Sequence, residues 1–433
     1  MWSHTKRLDL SSWLIHFVHE HKPEDTFRHW AIEQMGPEDV IEDVENCQCP
    51  DYFNNEGYPI VLYDEMIDDD WELSSNASSF QILQRVIHDG FLKSSWSFRR
   101  GNPTVYGPYS VVCFTEMPLY ALIDYANKRG GFSGYVGGYG IALKKKELFA
   151  AGARSAIYGL SGKKYEAIDP NDNLSKAGFR ALASECGIGR DEQYRYVHTD
   201  LDREPPIDWT FEREWRLAIK DERWGGIPGI PFFLSKAEYN TPVSEVVIIV
   251  STNEEKKLVL DQLTNMFLSK STNLGYNYQL ELIRTAKVIS VEQLKGLSNY
   301  DTIQLDGIDP AVETGMSLLP ISDETLRRVE NILTETHDIC DIAMDKFTKQ
   351  NPGVHTYSYP ISHIKICTDV NSEVTQALVL LGKASTFSEG RYYVDTPYTF
   401  TGNEEIGKLI MQNAADYLTE KLGQHFYVFV IPD

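Results

Sequence analysis

Apolar and polar positions alternate with a period of two along Phe211–Ile219 (FEREWRLAI). Phe211, Arg213, Trp215 and Leu217 fall on one side, and Glu212, Glu214 and Arg216 on the other. Such alternation predicts a strand rather than a helix. Same-face neighbours on a strand lie ~7 Å apart, so two carboxylates and a guanidinium would share one face. A solvated polar ladder fits this pattern, and so does a carboxylate facing a cleft and steadied by its neighbouring arginine. Upstream, Trp13–Val18 reads as a strand buried on both faces, with His16 in its middle. Phe80, Leu83, Val86 and Ile87 recur at helical spacing and stop at Asp89-Gly90, a helix with a glycine cap. Ser110–Phe114 predicts a compact strand that turns through Thr115-Glu116-Met117-Pro118 into a helix, Leu119–Lys128. A strand at Tyr139–Leu143, a helix at Lys144–Leu148, the apolar strand Val246–Val250 and a helix at Asn253–Met266 follow. Tyr278–Ile283 and Lys287–Ile289 complete this region.

The pattern fades over Asn299–Pro320, where Gly307, Pro310, Gly315 and Pro320 punctuate the chain, which predicts an inter-domain linker. Beyond it, helices at Asp323–Lys349, Ser372–Gly382 and Glu404–Leu422 alternate with strands at Ile364–Thr368, Arg391–Val394 and Phe426–Ile431. That alternation indicates a small α/β domain, with Leu326, Val329, Ile332 and Leu333 in its core. Residues Pro23–Leu73 read as an irregular acidic insertion. The glycine-rich Gly130–Gly140 matches no phosphate-binding fingerprint, because no helix start follows the glycines.

Composition narrows the function classes. A chain of 433 residues exceeds one compact core. Its 42% apolar and 12% aromatic content suits packed β-containing cores rather than disorder. A net charge of −22 argues against coating nucleic acid through a general positive field. It leaves room for a local basic groove, with Arg99, Arg100, Lys128, Arg129 and Lys144–Lys146 interleaved with Trp96, Tyr106 and Tyr109 as candidates, or for bases that simply offset nearby acids. Six scattered cysteines fit a reducing cytoplasm better than a disulfide scaffold. No secretory signal precedes residue 30 and no apolar run approaches the ~20 residues that span a bilayer. A cytoplasmic protein without membrane association is expected. Cys47-Gln48-Cys49, with His19 and His21, lacks the spacing of a structural zinc site, so no metal is expected.

The order WLIHF, ILQRVIHDGFL, VVCFTEMPLYAL, YGIALKKKELFAAGARSAIYG, FEREWRL and SEVVIIVS resembles that of the AbiGi-type abortive-infection proteins of bacteria. It is also similar, more distantly, to the DarT-like branch of the ADP-ribosyltransferase fold. The resemblance implies an α+β class: an ADP-ribosyltransferase-like domain of two packed sheets sharing a cleft over residues 1–298. A linker at 299–320 and the small α/β domain at 321–433 complete the expected order. The function it implies is an anti-phage toxin or effector that cleaves NAD and transfers ADP-ribose to a macromolecule. Cleaving the nicotinamide–ribose bond passes through an oxocarbenium-like state, which a carboxylate beside the sugar stabilises.

On that resemblance Glu214 matches the strand glutamate, and Glu212 is its partner or replacement. His16 matches the histidine that bonds a ribose hydroxyl of NAD. Phe114 or Tyr120 would stack on nicotinamide, packing being the simpler role for Tyr120, and Arg216 completes the NAD side. Arg100 matches a loop arginine that helps activate the acceptor. A nucleic-acid base, a protein side chain and water remain open as acceptors, and an antitoxin or a phage trigger as partner. The alternatives are a non-catalytic sensor or antitoxin-type binding protein and an NAD hydrolase.

Overall fold

The computed structural model describes residues 9–19, 77–99, 102–129, 138–160, 168–176, 179–220, 224, 229–235, 242–272, 276–308, 314–354, 362–388 and 391–432. The acidic stretch 23–73, the Cys47-Gln48-Cys49 segment and Arg100 lie outside the described residues. The chain divides into two compact units, Met1–Lys257 with Leu274–Gly315, and Leu258–Asn273 with Met316–Asp433.

The first unit is built on one sheet. Its strands are β1 (Trp13–Phe17), β2 (Val111–Thr115), β3 (Gly140–Lys144), β4 (Arg154–Ser155), β7 (Glu214–Ala218), β8 (Val246–Val250) and β9 (Lys287–Ser290); a separate short parallel pair is β5 (Ile157–Tyr158) with β6 (Tyr196–Val197). The seven strands run in the order β9-β8-β3-β1-β2-β7-β4. The β8–β9 pair is parallel and the others are antiparallel. Strand β8 is VVIIV and buried throughout, as β-branched residues between two paired neighbours with both faces covered should be.

Pairing along the sheet is uneven. Strand β1 meets β3 over Trp13↔Lys144 to Phe17↔Gly140, and β2 meets β7 over Glu214↔Thr115 to Ala218↔Val111. Between β1 and β2 a single pair, Ile15↔Thr115, closes the sheet. The sheet is therefore a four-stranded half and a three-stranded half joined at one point. Among the described residues, in place of two separate packed sheets there is one seven-stranded sheet that parts in its middle, accompanied by two-stranded pairs.

Helix α1 (Ser79–Asp89) forms where the periodicity predicts it. Ser78 and Gln81 make a reciprocal capping box, and Gly90 ends the helix at φ 73°. A Cβ at Gly90 would stand 2.6 Å from the Leu234 amide nitrogen, so both conformation and space require glycine. Helix α2 (Leu119–Arg129) starts directly after Pro118 and lays Leu119, Leu122 and Ile123 on the face carrying Trp13, Ile15, Ala142, Val247, Ile249 and Ile289. Helix α3 (Lys145–Ala151) follows β3 without a break and closes at Gly152 in the left-handed region.

Ile303, Leu305 and Ile308 join the same core, and the Tyr120 amide donates to the Ile303 carbonyl at 3.2 Å. The opening of the stretch read as a linker is thus part of the first unit. Its glycines and prolines mark turns, while burying three aliphatic side chains contributes roughly 2 kcal/mol each. Within Tyr278–Ile283, only Asn277–Tyr278 is extended, and Leu280–Thr285 is a short helix that buries Leu282 and Ile283.

Helix α4 (Asn253–Ser269) runs from the first unit into the second. The second unit holds α5 (Asp323–Gln350), β10 (Ser362–Thr368), α6 (Glu373–Leu380), β11 (Ala384–Ser388), β12 (Arg391–Val394), β13 (Phe400–Gly402), α7 (Glu404–Leu422) and β14 (Tyr427–Pro432). Strand β14 lines one edge of β10, while β12 and β13 share the other and β11 extends β12. Every pair is antiparallel, so this unit is α+β and not the alternating α/β domain expected. Two strands, β11 (ASTFS) and β13 (FTG), escaped prediction because short polar or glycine-containing stretches carry no clear period. Val329 and Leu333 of α5 are buried in the core, and Leu326 and Ile332 pack partly against it.

Among the described residues no helix is long and apolar enough to cross a membrane.

Candidate functional site

Strand β7 begins at Glu214, not at Phe211. Thr210–Glu212 forms a 3-10 turn, and Arg213 takes the left-handed conformation with φ 48°. Glu212 therefore leaves the strand face that periodicity assigned to it. The cause is tertiary. The Thr115 hydroxyl donates to the Glu212 carbonyl and accepts the Met117 amide at 2.9 Å, while the Glu116 amide donates to the Arg213 carbonyl at 3.1 Å. Arg213 in turn donates to the Asp9 carbonyl. These bonds from the end of β2 wind the turn, and alternation within nine residues carries no trace of them. The Glu212 carboxylate accepts from the Tyr125 hydroxyl at 2.9 Å.

From Glu214 onward the alternation holds. Register places Glu214 opposite Thr115 and Arg216 opposite Cys113, so these four side chains share one face. Trp215 points to the other, where its indole donates to Glu116 at 2.9 Å and Lys145 pairs with the same carboxylate at 2.8 Å. Arg216, only 5% exposed, grips Glu214 in a fork: Nε to Oε1 at 2.8 Å and Nη2 to Oε2 at 3.1 Å. Its Nη1 donates to the Tyr194 and Tyr196 carbonyls at 2.7 and 3.2 Å. Burial opposes the guanidinium charge, but the Glu214 carboxylate overrides it and holds the pKa above the ordinary arginine value. With four of its five N–H groups engaged in this way, Arg216 positions Glu214 and ties the β6 segment to the strand. Each Glu214 oxygen retains a second lone pair for another donor.

Two further groups meet Glu214. Its backbone amide donates to the Tyr158 hydroxyl oxygen at 2.6 Å. Burial, and beyond it the nearby carboxylates of Glu214 and Glu212, push that phenol up to about 12, so it keeps its proton. Burial and the Glu214 carboxylate also raise the Cys113 thiol well above its usual value. A protonated thiol is no nucleophile, so Cys113 serves as a small, weak donor beside the carboxylate.

His16 lies across β2. Its Nδ1 is 2.8 Å from the Cys113 carbonyl at the point where the two halves of the sheet part. A carbonyl only accepts, so Nδ1 carries the proton and Nε2 presents a lone pair. Phe114 packs edge-on to the ring at 6.0 Å. Burial lowers the His16 pKa to about 4, outweighing the opposing effect of the carbonyl. The ring is thus neutral at physiological pH. Because this base has a folded pKa below its unfolded value of 6.5, its contribution is complete above pH 6.5 and declines as pH falls toward 4, by up to about 3 kcal/mol. In an imidazole NMR titration the resonance absent from a His16→Gln variant should stay neutral through pH 5; a midpoint near 6.5 would remove this assignment.

Alternation along β1 puts His16 on the pleat opposite Ile15, whereas Glu214 shares the Ile15–Thr115 side. Among the described residues no hydrogen bond joins His16 to Glu214; Cys113 bridges them, carbonyl to one and thiol to the other. Phe114 is buried at 3% exposure and reaches His16 rather than an open stacking surface. Tyr120 is half-buried and packs against the α2 core.

The expected basic groove loses two of its three aromatic members, while Tyr109 stays partly exposed under Lys220. Trp96 is buried against Phe179 and Tyr106 against Tyr196, each with ring centres 5.1 Å apart. Lys144 and Lys145 are paired with acids: Lys144 with Glu245 at 3.3 Å while lying 3.7 Å over the Trp13 ring, and Lys145 with Glu116. Short-range sequence shows that aromatics and bases are interspersed but not which of them face inward. A hollow of about 260 Å³ lies at the Trp13 end of β1, bordered by Trp13, Lys144, Glu245, Lys287 and Asp306. It is apart from the Glu214 cluster, and part of its charged rim is engaged internally: Asp306 accepts from the Trp13 indole at 2.9 Å and from Ser12.

Sequence reasoning missed Cys113, Tyr125 and Tyr158. Cys113 follows from the β2–β7 register once the strands are known to pair. Tyr158 is brought to Glu214 from 56 residues away, and nothing local marks it. No family model, no curated protein and no solved structure matches this chain.

Proposed function

We propose that the first unit binds NAD at the parting of its sheet and transfers ADP-ribose to a macromolecular acceptor in bacterial defence against phage. The observation that supports this reading most is the single-pair junction between β1 and β2. At that junction His16 bonds the Cys113 carbonyl, and the Arg216-held Glu214 lies on the strand beyond. Acceptors for sugar hydroxyls flank a place where the sheet opens, and a carboxylate there stabilises positive charge developing on the ribose. The signal order resembling AbiGi-type and DarT-like proteins points the same way, as analogy.

A second reading, a binding protein without catalysis, draws on the fork. Both Glu214 oxygens are already engaged by Arg216, and His16 and Glu214 lie on opposite pleats. Incubating the full chain with NAD labelled in its adenylate moiety, alongside separate DNA, RNA and protein pools, divides the outcomes. Label in a nuclease- or protease-sensitive fraction is the expected result and names the acceptor. Released ADP-ribose alone makes the chain an NAD hydrolase, and intact NAD in every pool leaves the binding protein.

A further inference from the structure

Tyr158 stands at the end of β5 with its ring half-buried and its hydroxyl beside Glu214. A phenol has one proton to give and lone pairs to receive with. Its oxygen is occupied by the Glu214 amide at 2.6 Å, while no acceptor for its proton is present among the described residues. The neighbours of that hydroxyl are the side chains of Glu214, Glu212 and Arg216. Arg216 directs four of its five N–H groups at Glu214 and the Tyr194 and Tyr196 carbonyls. The cluster therefore offers a carboxylate with a lone pair left beyond Arg216 and the Cys113 thiol and, near it, a phenol with an unused proton.

A hydroxyl group is complementary to both at once, since it donates to the carboxylate and accepts from the phenol. Such a chain, Tyr to hydroxyl to carboxylate, polarises in one direction and strengthens each bond. A water would satisfy the same pair, but a carbon-bound hydroxyl fixes the orientation of the rest of its molecule.

We infer that Tyr158 is a substrate-binding residue that donates its phenolic proton to the ribose hydroxyl whose own proton is taken by Glu214. This rests on the NAD reading above and deepens it. The role differs from that of Arg216, which acts only through Glu214.

The test compares dissociation constants of the full-length chain and of Tyr158→Phe for NAD and for its 2′-deoxy and 3′-deoxy analogues at the nicotinamide ribose. Tyr158→Phe should weaken NAD binding by about five- to tenfold. One of the two analogues should weaken wild-type binding by a similar factor, and with that analogue the Tyr158→Phe penalty should vanish. The other analogue should keep the full penalty. A structural role, holding the Glu214 amide, would cost the same factor with every analogue and would overturn the assignment, as would unchanged NAD affinity. Wild-type chain that binds NAD with no Tyr158 dependence defeats only this inference. Wild-type chain that binds no NAD defeats the reading beneath it as well.

Discussion

Arg216→Ala should be the most destabilising single change in the first unit. It strands the Glu214 carboxylate at 15% exposure and removes the Arg216 bonds to the Tyr194 and Tyr196 carbonyls. Removing one partner of a buried pair costs about 3–5 kcal/mol, because the remaining charge is uncompensated. The attraction itself is a poor measure of worth, since two buried charges also lose hydration. The double variant Glu214→Leu with Arg216→Met should therefore recover much of the loss. Thermal midpoints of Arg216→Ala and of the double variant decide it. An Arg216→Ala chain that melts with wild type would mean the fork is dispensable, and a double variant as unstable as the single would place the cost in the two carbonyls. Arg216→Lys should fall between, because an ammonium has no planar fork to match the carboxylate.

Glu214→Gln should produce the largest loss of activity. The amide oxygen still accepts from Arg216, so shape and most of the packing survive while the charge facing the sugar disappears. On the NAD reading, nicotinamide release should fall by about 10²-fold or more, with a smaller change in NAD affinity. Glu212→Gln should be far milder, because Glu212 sits on the 3-10 turn and bonds Tyr125 rather than continuing the β7 face. The reverse ranking, with Glu212→Gln inactive and Glu214→Gln near wild type, would move the catalytic role onto the turn and recast Glu214 with Arg216 as a structural pair. The ranking separates the two carboxylates even though they are two residues apart, because they leave the chain in different backbone conformations.

Much of the architecture was legible in the chain itself. Val246–Val250, Arg391–Val394 and Glu404–Leu422 form the elements that periodicity assigns, with the same ends. Ser79–Asp89 announces its own start and stop through Ser78, Gln81 and Gly90. These features are local: side-chain spacing, a capping hydroxyl and a glycine that alone takes the left-handed turn. The Glu214–Arg216 pair belongs with them, because residues two apart on a strand share a face wherever that strand lies.

Only the tertiary structure decided the rest. Arg213 leaves the strand because Thr115, Glu116 and Asp9 bond the turn from elsewhere. Ile303, Leu305 and Ile308 enter the first core although glycine and proline surround them, since apolar burial outweighs punctuation that marks only turns. Trp96 and Tyr106 face inward for the same reason. The Ile15–Thr115 junction of β1 with β2, the His16 ring on the Cys113 carbonyl and the Tyr158 hydroxyl at Glu214 join residues 100, 97 and 56 apart by strand register and packing. Periodicity reports which way a side chain points from its own element. It carries no record of which distant element arrives opposite, and the candidate site is made of those arrivals.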